Sequence, residues 1–87
     1  MTVTISSVET EGDEQAAVWV TTVDAVGRHR EYRVSLGPGR LCGRFIMGCR
    51  QVTDDGGSRP RFPDRVADAA RDHWEEQGYS VFGGVDS

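Results

Sequence analysis

His29, Cys42, Cys49 and His73 are the residues in this 87-residue chain whose types ligate zinc or support nucleophilic catalysis. They are separated by 12, 6 and 23 intervening residues. Structural zinc sites pair their ligands at short spacings, and these intervals match none of them. A catalytic thiol needs an activating base beside it, and neither histidine is close in sequence to either cysteine. The stretch GPGRLCG, residues 37–43, has the glycines of a phosphate cradle, but it lacks the spacing and the lysine of a Walker loop. It reads as a turn between strands. The expectation is therefore a non-enzymatic protein with no metal and no cofactor.

The two cysteines raise a separate question. Seven positions apart on one strand, they would lie roughly 23 Å from each other on opposite faces, which forbids a disulfide. A tight reversal at Gly43 or Gly48 would bring them closer. The favoured expectation is two free, mostly buried thiols.

Charge is the more informative pattern. In DRVADAARDHWEEQGY, residues 64–79, counting in fours gives Asp64, Asp68, Asp72 and Glu76, with Glu75 alongside. Neighbours four apart on a helix repel when alike, so the three pairs cost roughly 1 kcal/mol before screening. Arg65 and Arg71 offset part of this as ordinary surface pairs, but two arginines do not balance five acids. The remaining charge is either a solvated face or a surface for a basic partner. Asp64, Asp68, Asp72, Glu75 and Glu76 are accordingly the candidate partner-binding residues.

All ten basic residues are arginine, and eight of them fall between residues 28 and 61. Residues 1–27 carry five acids and no base, and residues 62–87 carry six acids against two arginines. A net charge of −4 thus conceals a basic middle between acidic ends. Arg28, Arg33, Arg44 and Arg50, with Tyr32 and Phe45 interleaved, supply an alternative nucleic-acid-binding surface with rings for stacking. Tyr32 sits on the expected core parity, however, and Arg30 shares that parity unless it lies at a strand end.

These side chains must be positioned by few elements. TVTISSVE alternates as a half-buried strand over about 2–9; AAVWVTTV, within about 16–23, is rich in β-branched and aromatic residues. DAVGR forms a short loop with Gly27 available for positive φ, and HREYRVSL alternates over about 29–36. Tyr32, Val34 and Leu36 share one face; His29, Glu31, Arg33 and Ser35 share the other. GPGR marks a break, and a fourth strand over about 41–50 places Leu41, Phe45, Met47 and Cys49 on one side.

TDDGGSRPR reads as an exposed, mobile loop. Pro63 suits the first helical turn, Phe62 a staple and Gly78 the C′ position of a helix over about 63–77. Val66, Ala67, Ala70 and Trp74 form its apolar stripe. Tyr79, Val81 and Phe82 either add a short final strand or pack down, and GGVDS is expected to fray.

The predicted fold is α+β: one small domain over 1–87, with an antiparallel sheet of three to four strands and one C-terminal amphipathic helix packed on one face. Trp74, Val66 and Ala70 should meet Val34, Leu36 and either the Val18/Val20 or the Trp19 side of the second strand. A domain this small leaves little room for a deep enzyme cleft. With no long apolar run and no basic, apolar leader, the expectation is a cytoplasmic protein without a membrane span.

TVTISSVE and EYRVSL strands followed by a helix with exposed acids resemble the small phage-encoded anti-CRISPR proteins. The likeness is one of overall pattern and carries over no functional residues. It implies an inhibitor that docks on a basic protein or ribonucleoprotein complex; the alternative, from the residues themselves, is a nucleic-acid-binding module using the arginine-rich middle segment.

Overall fold

The computed structural model describes residues 2–82. Five strands, β1 (Thr2–Glu11), β2 (Glu14–Val23), β3 (His29–Leu41), β4 (Arg44–Val52) and β5 (Ser58–Pro60), form an antiparallel sheet in chain order. Helix α1 (Asp64–Glu76) follows, and β6 (Val81–Phe82) returns to pair parallel with β4 at Phe45 and Ile46. The architecture is α+β, with more strands than the three to four expected. GGVDS and the side chains of Leu41 and Phe82 lie outside the described residues.

The extra strands have a local cause. TDDGGSRPR is a closed hairpin turn: the Thr53 N–H donates to the Gly57 carbonyl at 2.8 Å and the Gly56 N–H to the Thr53 carbonyl at 3.0 Å. Asp55 Oδ1 accepts from the Gly57 N–H at 3.0 Å and from the Thr53 hydroxyl. With Gly56 at φ +83°, the chain reverses and Ser58–Pro60 pairs with Arg50–Val52. Side-chain acceptors in the turn supply order that its polar, glycine-rich composition does not suggest.

GPGR is likewise not a strand boundary. β3 runs through it to Leu41, with a pairing irregularity between Leu36 and Arg40. Pairing with β2 ends at Ser35, so Pro38 lies where one neighbour is already gone and its missing N–H is tolerated. Reversal occurs instead at Cys42 and Gly43, with φ 53° and 76°, the signs of a type I′ turn. Cys42 at this tip is exposed, contrary to the expected burial, and both thiols are free.

One face of the sheet carries the core. Val18, Val20, Tyr32, Val34 and Met47 pack with Val66, Ala70 and Trp74 of α1 and with Val81, while Val3, Ile5, Leu36, Phe45 and Cys49 are partly buried against them. The Val18/Val20 side of β2 therefore faces the helix, and Trp19 lies on the other side.

Pro63 is the N-cap rather than the first helical residue, with ψ at 148° and its carbonyl accepting from the Ala67 N–H at 2.9 Å. At the other end, the Gly78 N–H donates to Glu75 and the Tyr79 N–H to Trp74, at 3.0 and 2.9 Å, with Gly78 at φ +94°. This is a Schellman motif, and its customary apolar contact is the edge-to-face packing of Tyr79 on Trp74 at 5.2 Å between centroids.

Trp74 is fully buried, and among the described residues its indole N–H has no hydrogen-bond partner. Trp74→Ala should cost about 3–5 kcal/mol in urea denaturation. Trp74→Phe should cost much less, because it also removes an unsatisfied donor worth about 1–3 kcal/mol. Gly78→Ala should cost about 1–2 kcal/mol through the left-handed backbone. An unchanged midpoint for Trp74→Ala would place the ring outside the core.

Candidate functional site

Helix α1 separates its residues cleanly by side. With Val66, Ala67, Ala70 and Trp74 buried, the 3.6-residue turn puts Asp72 directly opposite them and Asp68, Glu75 and Glu76 beside it. Asp64 lies nearer the flank, in the first turn, where it suits the positive end of the helix. All five are exposed. Arg71 Nη2 approaches Asp68 Oδ1 at 3.4 Å, and Arg65 is engaged as well. The helix still carries five acids against two arginines, all on or beside its solvent side. His73 lies at the boundary, where its Nε2 is 3.0 Å from Gln15 Oε1.

The arginines proposed for nucleic acid do not form one surface. Arg33 and Arg50 are cross-strand neighbours on the open sheet face. Arg28 lies in the β2–β3 loop and Arg44 beside the β3–β4 turn, at opposite ends of a hairpin about 30 Å long. Arg33 is also already held: its Nε and Nη2 donate to Glu9 Oε1 and Oε2 at 3.1 and 3.0 Å. Arg50 Nε donates to the Ser58 hydroxyl at 3.2 Å. Phe45 and Tyr32 face the core side, so neither offers a ring beside Arg33 and Arg50.

What the open face does contain is a three-strand cluster that the sequence reading missed. Glu9 on β1, Trp19 on β2 and Arg33 on β3 share the outward parity. The register pairs Trp19 with Arg33, and Glu9 with Ala17 next to Trp19. The indole N–H donates to Glu9 Oε1 at 2.6 Å, so one carboxylate receives both the ring and the guanidinium fork. Those hydrogen bonds, Arg33 first, hold the Glu9 carboxyl below its usual range. Ala17 is fully buried on this otherwise open side. Parity could have supplied only part of it: Arg33 falls outward by alternation, but unbroken alternation in β1 would put Glu9 with Val3 and Ile5 on the core side, and it is the register shift between Ile5 and Ser7 that carries Glu9 to the open face.

The residues with chemical potential remain apart. His29 begins β3, Cys42 sits at the opposite turn, Cys49 faces the core and His73 lies on the helix. Burial pushes the Cys49 thiol up to about 12, the reverse of what a nucleophile needs. Among the described residues no group of three or more His, Cys, Asp or Glu is placed to hold a metal, and no helix is long and apolar enough to cross a membrane. The fold and its surfaces define a two-layer α+β domain with one sheet face open and an acidic outer helix. Compared with known protein families, curated proteins and solved structures, the chain has no match.

The depressed Glu9 carboxyl fixes a pH dependence. A carboxyl lowered in the folded state stabilises it above the unfolded value, and that contribution is lost as pH falls through the folded value. Asp24 and Asp55, held low mainly by the Arg28 amide and the Thr53 hydroxyl respectively, act in the same direction. Thermal unfolding should shift downward as pH drops below the usual carboxylate range, and Glu9→Gln should flatten part of that slope. Parallel wild-type and Glu9→Gln profiles would show that the cluster contributes nothing to acid sensitivity.

Proposed function

We propose that this chain is a non-enzymatic interaction protein whose helix presents Asp64, Asp68, Asp72, Glu75 and Glu76 to a basic partner. The observation that carries the reading is that Trp74 and the small stripe beside it fix the helix's rotation, leaving these exposed acids toward solvent. A basic surface docking there relieves the like-charge repulsion along the ridge. The same geometry requires neither pocket nor cofactor.

In its most concrete form the partner is a basic nucleic-acid-handling protein or ribonucleoprotein complex, and docking inhibits it. This is the role that the anti-CRISPR-like pattern implies for a phage-borne inhibitor acting in the host cytoplasm. Support comes from charge complementarity, which sets encounter rate and specificity more than raw affinity.

The test is affinity capture from host lysate with wild type and an Asp68→Lys, Asp72→Lys, Glu76→Lys variant, both shown to be folded. Capture of a basic protein or ribonucleoprotein by wild type alone is the expected result. Identical partners for both proteins would remove the ridge as an interface.

A further inference from the structure

The helix covers only part of its side of the sheet, and where it stops the inward-facing residues change character. Tyr32, Gln51 and Arg59 are consecutive cross-strand partners on β3, β4 and β5. Arg30 precedes Tyr32 by two on the same face. It does share the core parity, and the end of the sheet beyond the helix is where that parity leaves room for an arginine. The chain then passes through Arg61 to Pro63 at the start of α1.

Arg30, Tyr32, Gln51, Arg59, Arg61 and Pro63 enclose a hollow of ≈ 380 Å³ with three guanidinium groups and no carboxylate in its lining. A second hollow of ≈ 490 Å³ adjoins it, shares Arg30 and Gln51, and adds Arg28, His29 and Asp54. Together they make a track around one end of the sheet on which Arg61, Arg59, Arg30 and Arg28 follow one another.

Of the nearby acids, Asp54 lines the second hollow and sets one negative charge against its arginines, while Asp24 and Asp55 have other tasks. Asp24 Oδ1 accepts from the Val26 and Arg28 amides at 3.0 and 2.9 Å, closing the β2–β3 loop, and its other oxygen meets Arg30 Nη1 only at 3.6 Å. Asp55 is bound to Thr53 and Gly57 in the β4–β5 turn while also acting on Arg59 through space. Pro63 has no side-chain capping bond, so the positive end of α1 adds to the hollow, tempered by Asp64.

We propose that this track binds the phosphate backbone of a single-stranded nucleic acid. Two open hollows in series suit an extended ligand with repeating anions better than one compact molecule. Tyr32 is only 4% exposed, so it offers no stacking face, and recognition is of backbone rather than bases. The site shares only Arg28 with the dispersed set of Arg28, Arg33, Arg44 and Arg50, and it does not depend on the acidic ridge.

The experiment is fluorescence anisotropy with a labelled oligothymidine of about ten nucleotides at about 50 mM and about 200 mM salt. The proteins are wild type, an Arg59→Ala, Arg61→Ala variant and an Arg44→Ala control, each checked for an unchanged melting temperature. Wild type should bind at low salt, and the paired variant should bind at least about tenfold more weakly with a salt slope reduced by about two. Arg44→Ala should match wild type. No binding at low salt, or equal weakening by Arg44→Ala, would each overturn the proposal.

Discussion

Burial of the Trp74 ring and the Val66/Ala67/Ala70 stripe on Val18, Val20 and Val34 is the contact on which the rest depends. A sheet of half-buried strands is not stable until one face is covered, and here one 13-residue helix must do the covering. The small alanines let the helix approach closely, while Trp74 supplies most of the volume. The Schellman turn then sends Tyr79 back onto that same ring and delivers β6 to the free edge of β4. Helix rotation follows directly: with the stripe inward, the acids can point nowhere but outward.

Covering one face with one helix leaves two surfaces that the core does not occupy. The outer sheet face alternates polar residues, and it shields Ala17 with a ring and a guanidinium joined through Glu9. Trp19 is thereby kept on a solvated face without a bare indole N–H, since its donor is taken by a carboxylate. The other surface is the end of the inner face beyond the helix, where Arg30 and Arg59 replace the valines of the core. Arg30 there is half-buried and Arg59 is exposed, so the packed layer ends and charge meets water at that end.

Most of the helix was legible because its signals are local. The stripe, the terminal glycine and the acid spacing each occupy fixed positions within a few residues of sequence. Strand parity was equally legible for Tyr32, Val34 and Leu36. Strand ends were not, because they depend on partners: GPGR looks like a turn until the register shows that β3 still has β4 beside it. TDDGGSRPR looks loose until the Asp55 carboxylate is seen to tie it. The buried side of β2 was undecidable from AAVWVTTV, since valine and tryptophan both bury well. Of the candidate residues, the acid ridge followed from one helix, whereas the arginine set required knowing which strands pair and which end of each is covered.

The edges of the sheet show the same economy. β1 is a ten-residue edge strand, a ready template for pairing with another chain. Its register slips at Ser6, whose hydroxyl donates to the Trp19 carbonyl at 3.1 Å, so the bulge is pinned by a bond to β2. A bulge of this kind increases local twist and interrupts the row of outward amides that a second strand would need. Glu9 and Glu11 add negative charge to the far half of the strand. On the opposite edge, β5 and β6 each occupy a part of β4, leaving Met47 to Cys49 between them. A two-residue parallel strand contributes little pairing energy by itself. Its position follows from the helix: once α1 ends beside β2 and Tyr79 folds under Trp74, the chain emerges beside Phe45, where the Phe45 N–H donates to the Ser80 carbonyl at 2.9 Å. The interaction that buries the helix is thus also the one that closes the exposed edge at Phe45 and Ile46.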